Sequence, residues 1–337
     1  MVSIQVAGHV CVDLTPQLHS DRFGVPGELT EVGPIEIRTG GTLSNCARAV
    51  KALDTEVFLS GMVGNDELGS ICRNKLDQEH PGHVELAIHP TAATSYSVVV
   101  RPPGLDRSFW HHTGANDEFR GETTVQPETI LHFGYPTLCP GMCEDDGSPI
   151  VDLFTRAHAA GCATSLDLAY LAENSPLQKI DWAALFTHCL PQTDVFCPSW
   201  DDIASCIPKV DASFDPARIE AQAHQFLNMG AGIVLITVGK NGAYLATGSN
   251  QRLQALAKLT GIDAKEWANQ TVWHEAVPVE KNTSDALDTN GAGDTFKAAF
   301  LVALTKRASA HQAVAYASHV VARKLIRQPM NIDIEEF

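Results

Sequence analysis

The sequence predicts one α/β domain over residues 1–337, a three-layer α/β/α arrangement around a mostly parallel central sheet with a small β-sheet lid. Three observations predict it. Short apolar runs rich in β-branched residues alternate with stretches of helical period along most of the chain. Two segments, about 14–38 and 91–113, lack helical period and carry strand-like runs. Finally, 44% hydrophobic and 19% charged residues in 337 suit one large globular unit with a sizeable core.

In chain order, the first expected strand is 4–7. The lid segment 14–38 follows, and then a helix whose apolar face is Leu43, Ala47, Val50 and Leu53. A strand at 57–60 precedes the second lid segment, where Thr94-Ser95-Tyr96-Ser97-Val98-Val99-Val100 is closed by the turn Pro102-Pro103-Gly104. Further strands are expected at 130–133, 163–167, 195–197 and 233–238. The extended segment 248–287 reads as an insertion: an amphipathic helix over 252–269, then a polar stretch at 280–285. Phe296, Phe300, Ala303 and Leu304 form the apolar face of a late helix.

Composition excludes several function classes. A net charge of −16 argues against nucleic acid, whose phosphates need basic stripes. An anionic ligand would have to be held by a local cradle, because the field of the whole molecule repels it. No apolar run approaches the roughly 20 residues of a membrane span. The N-terminus begins on strand-like sequence with no basic n-region or cleavage site, so no signal peptide is expected. The nine cysteines are scattered without a C-x-x-C pair, the nearest being Cys139 and Cys143. They read as reduced, buried thiols of a cytoplasmic protein.

The most informative segment is Asp288-Thr289-Asn290-Gly291-Ala292-Gly293-Asp294-Thr295-Phe296, a glycine-rich turn running into a helix. Amides at such a helix N-terminus attract an anion. Asp294 beside them could take a proton from a hydroxyl attacking a phosphoryl group, or could simply cap the helix. Local sequence leaves those readings even. Gly40-Gly41-Thr42-Leu43-Ser44-Asn45 also opens a helix and offers close backbone approach plus the Asn45 amide. Thr237-Val238-Gly239-Lys240-Asn241-Gly242 ends an apolar strand, where it could meet a nucleotide or form an Asn-Gly hairpin. The P-loop, G-x-G-x-x-G, H-E-x-x-H and G-x-S-x-G patterns are absent. His111 and His112, adjacent on a strand, point to opposite faces and should not share a metal.

Together these segments resemble the PfkB carbohydrate kinase family, which includes ribokinase, fructokinase and adenosine kinase. Gly40 to Gly69, ending in Gly61-Met62-Val63-Gly64-Asn65-Asp66-Glu67-Leu68-Gly69, looks like its N-terminal signature; Asp288 to Phe296 looks like its D-T-x-G-A-G-D-x-F signature. The resemblance spans essentially the whole chain and implies a ribokinase-like fold and an ATP-dependent kinase acting on a sugar hydroxyl, with a nucleoside as the alternative acceptor. A catalytically silent binding protein of the family is a rival reading, disfavoured by the intact signatures. The resemblance further implies Asp294 as base; Gly291, Ala292 and Gly293 as anion hole; Asp13, Gly40, Gly41 and Asn45 as acceptor contacts; and Thr237, Gly239, Gly242 and Ser199 at ATP. Mg²⁺ bridging the ATP phosphates is implied, with Asp202 acting directly or indirectly on it. A monovalent cation such as K⁺ near Asp288, and a homodimer formed through the lid, are implied by some relatives.

The chain also departs from the family's pattern. Pro198-Ser199-Trp200-Asp201-Asp202 stands where relatives carry N-x-x-E, and Asp167 lacks the usual following Pro-Asn. Leu131 to Pro136 lacks the glutamate of many sugar kinases, and Gly134 or Tyr135 is not expected to replace its hydrogen bonding. This weakens a ribose or fructose assignment. The stretch after Leu325 is short and atypical for the cation site. Phe109, Trp110 and Phe119 could supply an aromatic nucleoside pocket. Phosphorylated acceptors are disfavoured unless Arg38, Arg101 or Arg107 of the lid reaches the site.

Overall fold

The computed structural model describes residues 2–20, 24–103, 107–208, 210–279 and 287–337. Its main sheet has nine strands: β1 (Ile4–Gly8), β4 (Val57–Gly64), β5 (Val84–His89), β8 (Ile130–Gly134), β9 (Ala163–Asp167), β10 (Val195–Phe196), β11 (Ile233–Thr237), β12 (Ala243–Thr247) and β13 (Thr271–His274). The order is β13-β12-β11-β10-β9-β8-β1-β4-β5. Every pairing from β11 to β5 is parallel, whereas β12 pairs antiparallel with both β11 and β13. The expected three layers are present, and all six expected main-sheet strands occur.

The lid is a separate four-stranded sheet in the order β3-β2-β6-β7. It is built from β2 (Cys11–Pro16), β3 (Ile35–Gly40), β6 (Tyr96–Val100) and β7 (Ser108–His112). It therefore starts three residues before the expected boundary at 14, because β2 follows β1 almost without a break. β2 and β6 are parallel at its centre, and β3 and β7 are its edges.

Ten helices are described: α1 (Gly41–Ala52), α2 (Glu67–Glu79), α3 (Glu144–Ala159), α4 (Trp182–Cys189), α5 (Trp200–Cys206), α6 (Pro216–Asn228), α7 (Asn250–Thr260), α8 (Ala264–Trp267), α9 (Ala292–Thr305) and α10 (Ala310–Leu325). Alternate strand residues point to opposite sheet faces, and two apolar clusters result. Ile4, Val6, Ile233 and Leu235 pack with α1, α2 and α7 to α10, while Leu131, Phe133, Phe196 and Ile236 pack with α3 to α6. The apolar faces expected at Leu43–Leu53 and Phe296–Leu304 are both buried in the first cluster, so α1 and α9 lie against each other.

One expected element is corrected. The single helix over 252–269 is two, α7 and α8, because Gly261 adopts φ 80° and ends the first, and Asp263 caps the second. The polar stretch 280–285 and Gly104 of the 102–104 turn lie outside the described residues. All nine cysteines are buried and unpaired. Among the described residues no helix is long and apolar enough to cross a membrane.

Candidate active site

The chain leaves β1 toward β4 and β5 on one side, and the strands from β8 onward are laid down on the other. β1 and β8 are therefore a topological switch point, and their carboxyl ends, where Gly8 pairs with Gly134, are where open α/β sheets bind ligands. The 40–45 and 288–296 segments, far apart in sequence, both converge here.

Asp294 lies in the first turn of α9, whose N-cap Gly291 has φ 67°. It is 2% exposed, and both carboxylate oxygens are held. Asn45 Nδ2 on α1 donates to Oδ2 at 2.9 Å, and the Tyr135 hydroxyl at the end of β8 donates to Oδ1 at 2.6 Å. Cys46 Sγ also reaches Oδ1 at 3.7 Å, so Oδ2, with a single donor, keeps a lone pair for an incoming proton. No side-chain cap is made at this helix start, so capping is not what Asp294 does. Gly293 and Asp294 occupy first-turn positions whose N–H groups have no partner within the helix, alongside the positive end of its dipole.

Tyr135, not expected to replace the family glutamate's hydrogen bonding, holds Asp294 instead. It adopts a left-handed φ of 70°, and burial, reinforced by Asp294, raises its phenol well above the usual range. Its hydroxyl is thus a permanent donor to the carboxylate. Lys297, one turn along α9, was also missed. Its ammonium pairs with the buried Asp167 carboxylate. Burial opposes that charge, but Asp167, Asp202 and Asp294 outweigh it and hold Lys297 above the ordinary lysine range. Asp167 therefore faces a fixed internal cation, and its other oxygen accepts from Leu168 N at 2.7 Å.

The residues expected to contact the acceptor lie on β2, β3 and α1. Asp13 lies on β2, and burial raises its carboxyl despite Arg48 and Arg107. A Cβ at Gly40, where β3 meets α1, would run into that carboxylate, so a glycine is required there by close approach. Gly41 opens α1 beneath His9. His9 Nε2 lies 3.2 Å from His111 Nε2, and His111 Nδ1 lies 3.0 Å from Ser97 Oγ, so a histidine pair ties β1 to the lid. His112 instead stacks against Tyr96, as expected for opposite strand faces. Of the three lid arginines, Arg107 reaches the site and donates to Thr289 Oγ1, whereas Arg38 pairs with Glu36 and Arg101 is exposed. The aromatic pocket is not assembled. Phe119 is fully buried in the second core cluster, and Phe109 and Trp110 are about half exposed on β7.

The 237–242 segment takes the hairpin form. The segment is the β11–β12 hairpin turn, with Val238 N donating to Gly242 O at 2.8 Å, and it stands at the carboxyl end of β11. Thr237 bridges to Ser199, so the two residues expected at ATP are neighbours. Gly239, at φ 53°, has open space around it. Ser199 and Asp202 form a reciprocal capping box on α5 at 3.1 and 3.2 Å. That pairing engages Asp202 Oδ2 and leaves Oδ1 outside the capping box. Asp288 is met by Lys324 of α10, which pairs with its carboxylate and donates to its carbonyl.

The second half of the N-terminal signature is structural. Asp66 caps α2 through Gly69 N and accepts from Thr94 N and Oγ1, fastening β4 to the base of the lid. An open cleft of about 890 Å³, bordered by His158, Arg252, Lys258 and Arg307, lies at the amino-terminal edge of the sheet and contains none of these residues.

Residues 1–329 match the pfkB family carbohydrate kinase pattern. The chain is 22% identical to the ATP-dependent 6-phosphofructokinase of Thermoanaerobacterium thermosaccharolyticum over 308 residues, covering 90% of this chain and 81% of that protein. In structure it is similar to Arabidopsis thaliana ribokinase complexed with ribose and ATP, with a TM-score of 0.70 and 18% identity over 99% of this chain and 97% of that one. It is likewise similar to phosphofructokinase-2 from Escherichia coli in complex with fructose-6-phosphate, with a TM-score of 0.72 and 16% identity over 100% and 98% of the two chains.

Proposed function

The chain belongs to the pfkB family of carbohydrate kinases, and on that premise we propose that it moves the γ-phosphoryl group of ATP to a hydroxyl of a small sugar, with Asp294 as general base. The observation that carries this reading is the Asp294 carboxylate, held by Asn45 and Tyr135 beside the first-turn amides of α9. The acceptor hydroxyl gives its proton to Asp294 as its oxygen attacks the γ-phosphorus. Charge on the transferring group falls on the Gly291, Ala292 and Gly293 amides, Ala292 N–H giving up the Thr289 carbonyl it meets at 3.3 Å. Asp13 and Asn45 orient the acceptor, with Gly40 and Gly41 leaving it room. Thr237, Ser199, Gly239 and Gly242 border the nucleotide. These assignments rest on the convergence of the segments and on the family pattern.

Magnesium ordinarily enters such sites on the nucleotide, held by one or two carboxylates and the phosphates. Among the described residues no group of three His, Cys, Asp or Glu side chains is arranged to hold a metal. Asp202 Oδ1 fits a share in a magnesium ion brought by ATP, directly or through water. The ion would supply charge neutralisation at the β- and γ-phosphates.

Arg107 supports a second reading, a phosphorylated sugar as acceptor. It is a lid cation brought to Thr289 and electrostatically coupled to Asp13, where an anionic substituent would lie. Exposed Ile35, Phe109 and Trp110 on the lid's edge strands support association of two copies through the lid. A screen of ATP consumption across pentoses, hexoses, their phosphates and nucleosides tests the acceptor. Turnover with free sugars supports the first reading. Turnover with sugar phosphates alone, abolished by Arg107→Ala, supports the second. Turnover with none contradicts the proposal.

A further inference from the structure

The turn that carries the anion hole is held from behind by a lysine. Lys324, in the last turn of α10, donates from Nζ to the Asp288 carbonyl at 2.7 Å and to the Asn290 carbonyl, and pairs with Asp288 Oδ2 at 3.2 Å. An ammonium has three N–H donors, and three oxygens converge on this one. Its side chain is 14% exposed. Asp288 N also donates to Leu325 O at 2.9 Å, so the turn and the end of α10 are joined on both sides of the lysine. Two backbone carbonyls and a carboxylate around one point form the oxygen-rich, singly anionic cage that suits a dehydrated alkali cation.

We propose that Lys324 is a tethered, built-in monovalent cation behind the anion hole, so that this kinase needs no K⁺ there. The inference rests on the reading of the Gly291–Gly293 amides as the phosphoryl cradle. Its mechanism follows from peptide planarity. In a trans peptide the carbonyl and the next N–H point in opposite directions. Holding the Asn290 carbonyl against Lys324 therefore turns the Gly291 N–H away from the lysine. Lys324 is a positioning residue: it touches no substrate and fixes the direction of an amide that does. The expectation of a K⁺ ion at Asp288 is replaced by a side chain of this chain.

The test compares wild type with Lys324→Ala in potassium, sodium and tetramethylammonium chloride at matched ionic strength. Melting temperature and the affinity for a non-hydrolysable ATP analogue are read in each salt. Wild type should melt at the same temperature and bind the analogue equally in all three. Lys324→Ala should bind the analogue about tenfold more weakly in tetramethylammonium and recover selectively in potassium. Potassium at ten times its dissociation constant should also raise the variant's melting temperature by about 2 °C. Selective stabilisation of wild type by potassium would overturn the proposal. So would a folded Lys324→Ala without potassium selectivity, since the lysine would then merely tie α10 to the turn. Should the variant not fold, the wild-type comparison decides alone. The melting data need no acceptor, so they separate failure of this inference from failure of the kinase assignment.

Discussion

At the residue scale, the site depends on side chains that no local pattern announces. Tyr135 meets Asp294 across 159 positions, Lys297 meets Asp167 across 130, and Lys324 meets Asp288 across 36. The glycine turn was legible because backbone geometry needs glycine at fixed spacing. Local sequence left Asp294 even between base and helix cap, and only the family resemblance favoured the base. Tyr135 was not legible, because a tyrosine after a strand is ordinary until its partner's position is known. Its hydroxyl holds one oxygen of Asp294, the proposed base, and a hydrogen bond to a charged group contributes about 1.5–3 kcal/mol. Tyr135→Phe should therefore lower kcat roughly 10- to 100-fold with the KM for ATP unchanged. An unchanged kcat would show that Asn45 alone positions the carboxylate.

At the element scale, periodicity revealed the strands buried on both faces, and the lid revealed itself by lacking helical period. The β5, β12 and β13 strands were missed, β5 being a part-exposed strand at the sheet's edge. Ala243–Thr247 carries little β-branched signal, and Thr271–His274 is four residues long; both form through pairing with β11 and with each other. The 252–269 reading failed at Gly261, since amphipathic spacing continued through a residue whose left-handed backbone ends the helix. The β11–β12 hairpin ties the nucleotide side to this region. Gly242, at φ 93°, faces the His274 carbonyl with no room for a Cβ. Gly242→Ala should lower stability by about 1–3 kcal/mol and weaken ATP binding, measured by urea unfolding and titration calorimetry. Wild-type stability and affinity would show that the hairpin tolerates the change and does not border the nucleotide.

At the scale of the whole molecule, an acidic chain holds a few buried cations and neutral histidines around its candidate site. Burial lowers His9, and burial with Lys297 lowers His132 to about 3. Their folded pKa values lie below the unfolded value, so folding favours the neutral form. The contribution is complete above the unfolded value of 6.5 and is lost as pH falls, until the folded groups themselves protonate. Each such histidine should cost about 1.4 kcal/mol of stability per pH unit below 6.5. Urea unfolding between about pH 7 and pH 5 should show this decline, and His132→Gln should make it shallower. A flat profile would mean that both histidines charge within the fold.

The fold brings α1, β8 and α9 to one carboxylate, and Asp294→Asn tests its proposed role as the base most directly. The substitution keeps the side-chain shape beside Asn45 and Tyr135 while removing the proton acceptor. With the acceptor sugar identified, kcat should fall about 10²–10⁴-fold while affinity for ATP is retained. Wild-type turnover by a folded, ATP-binding Asp294→Asn enzyme would contradict the assignment of Asp294 as the base.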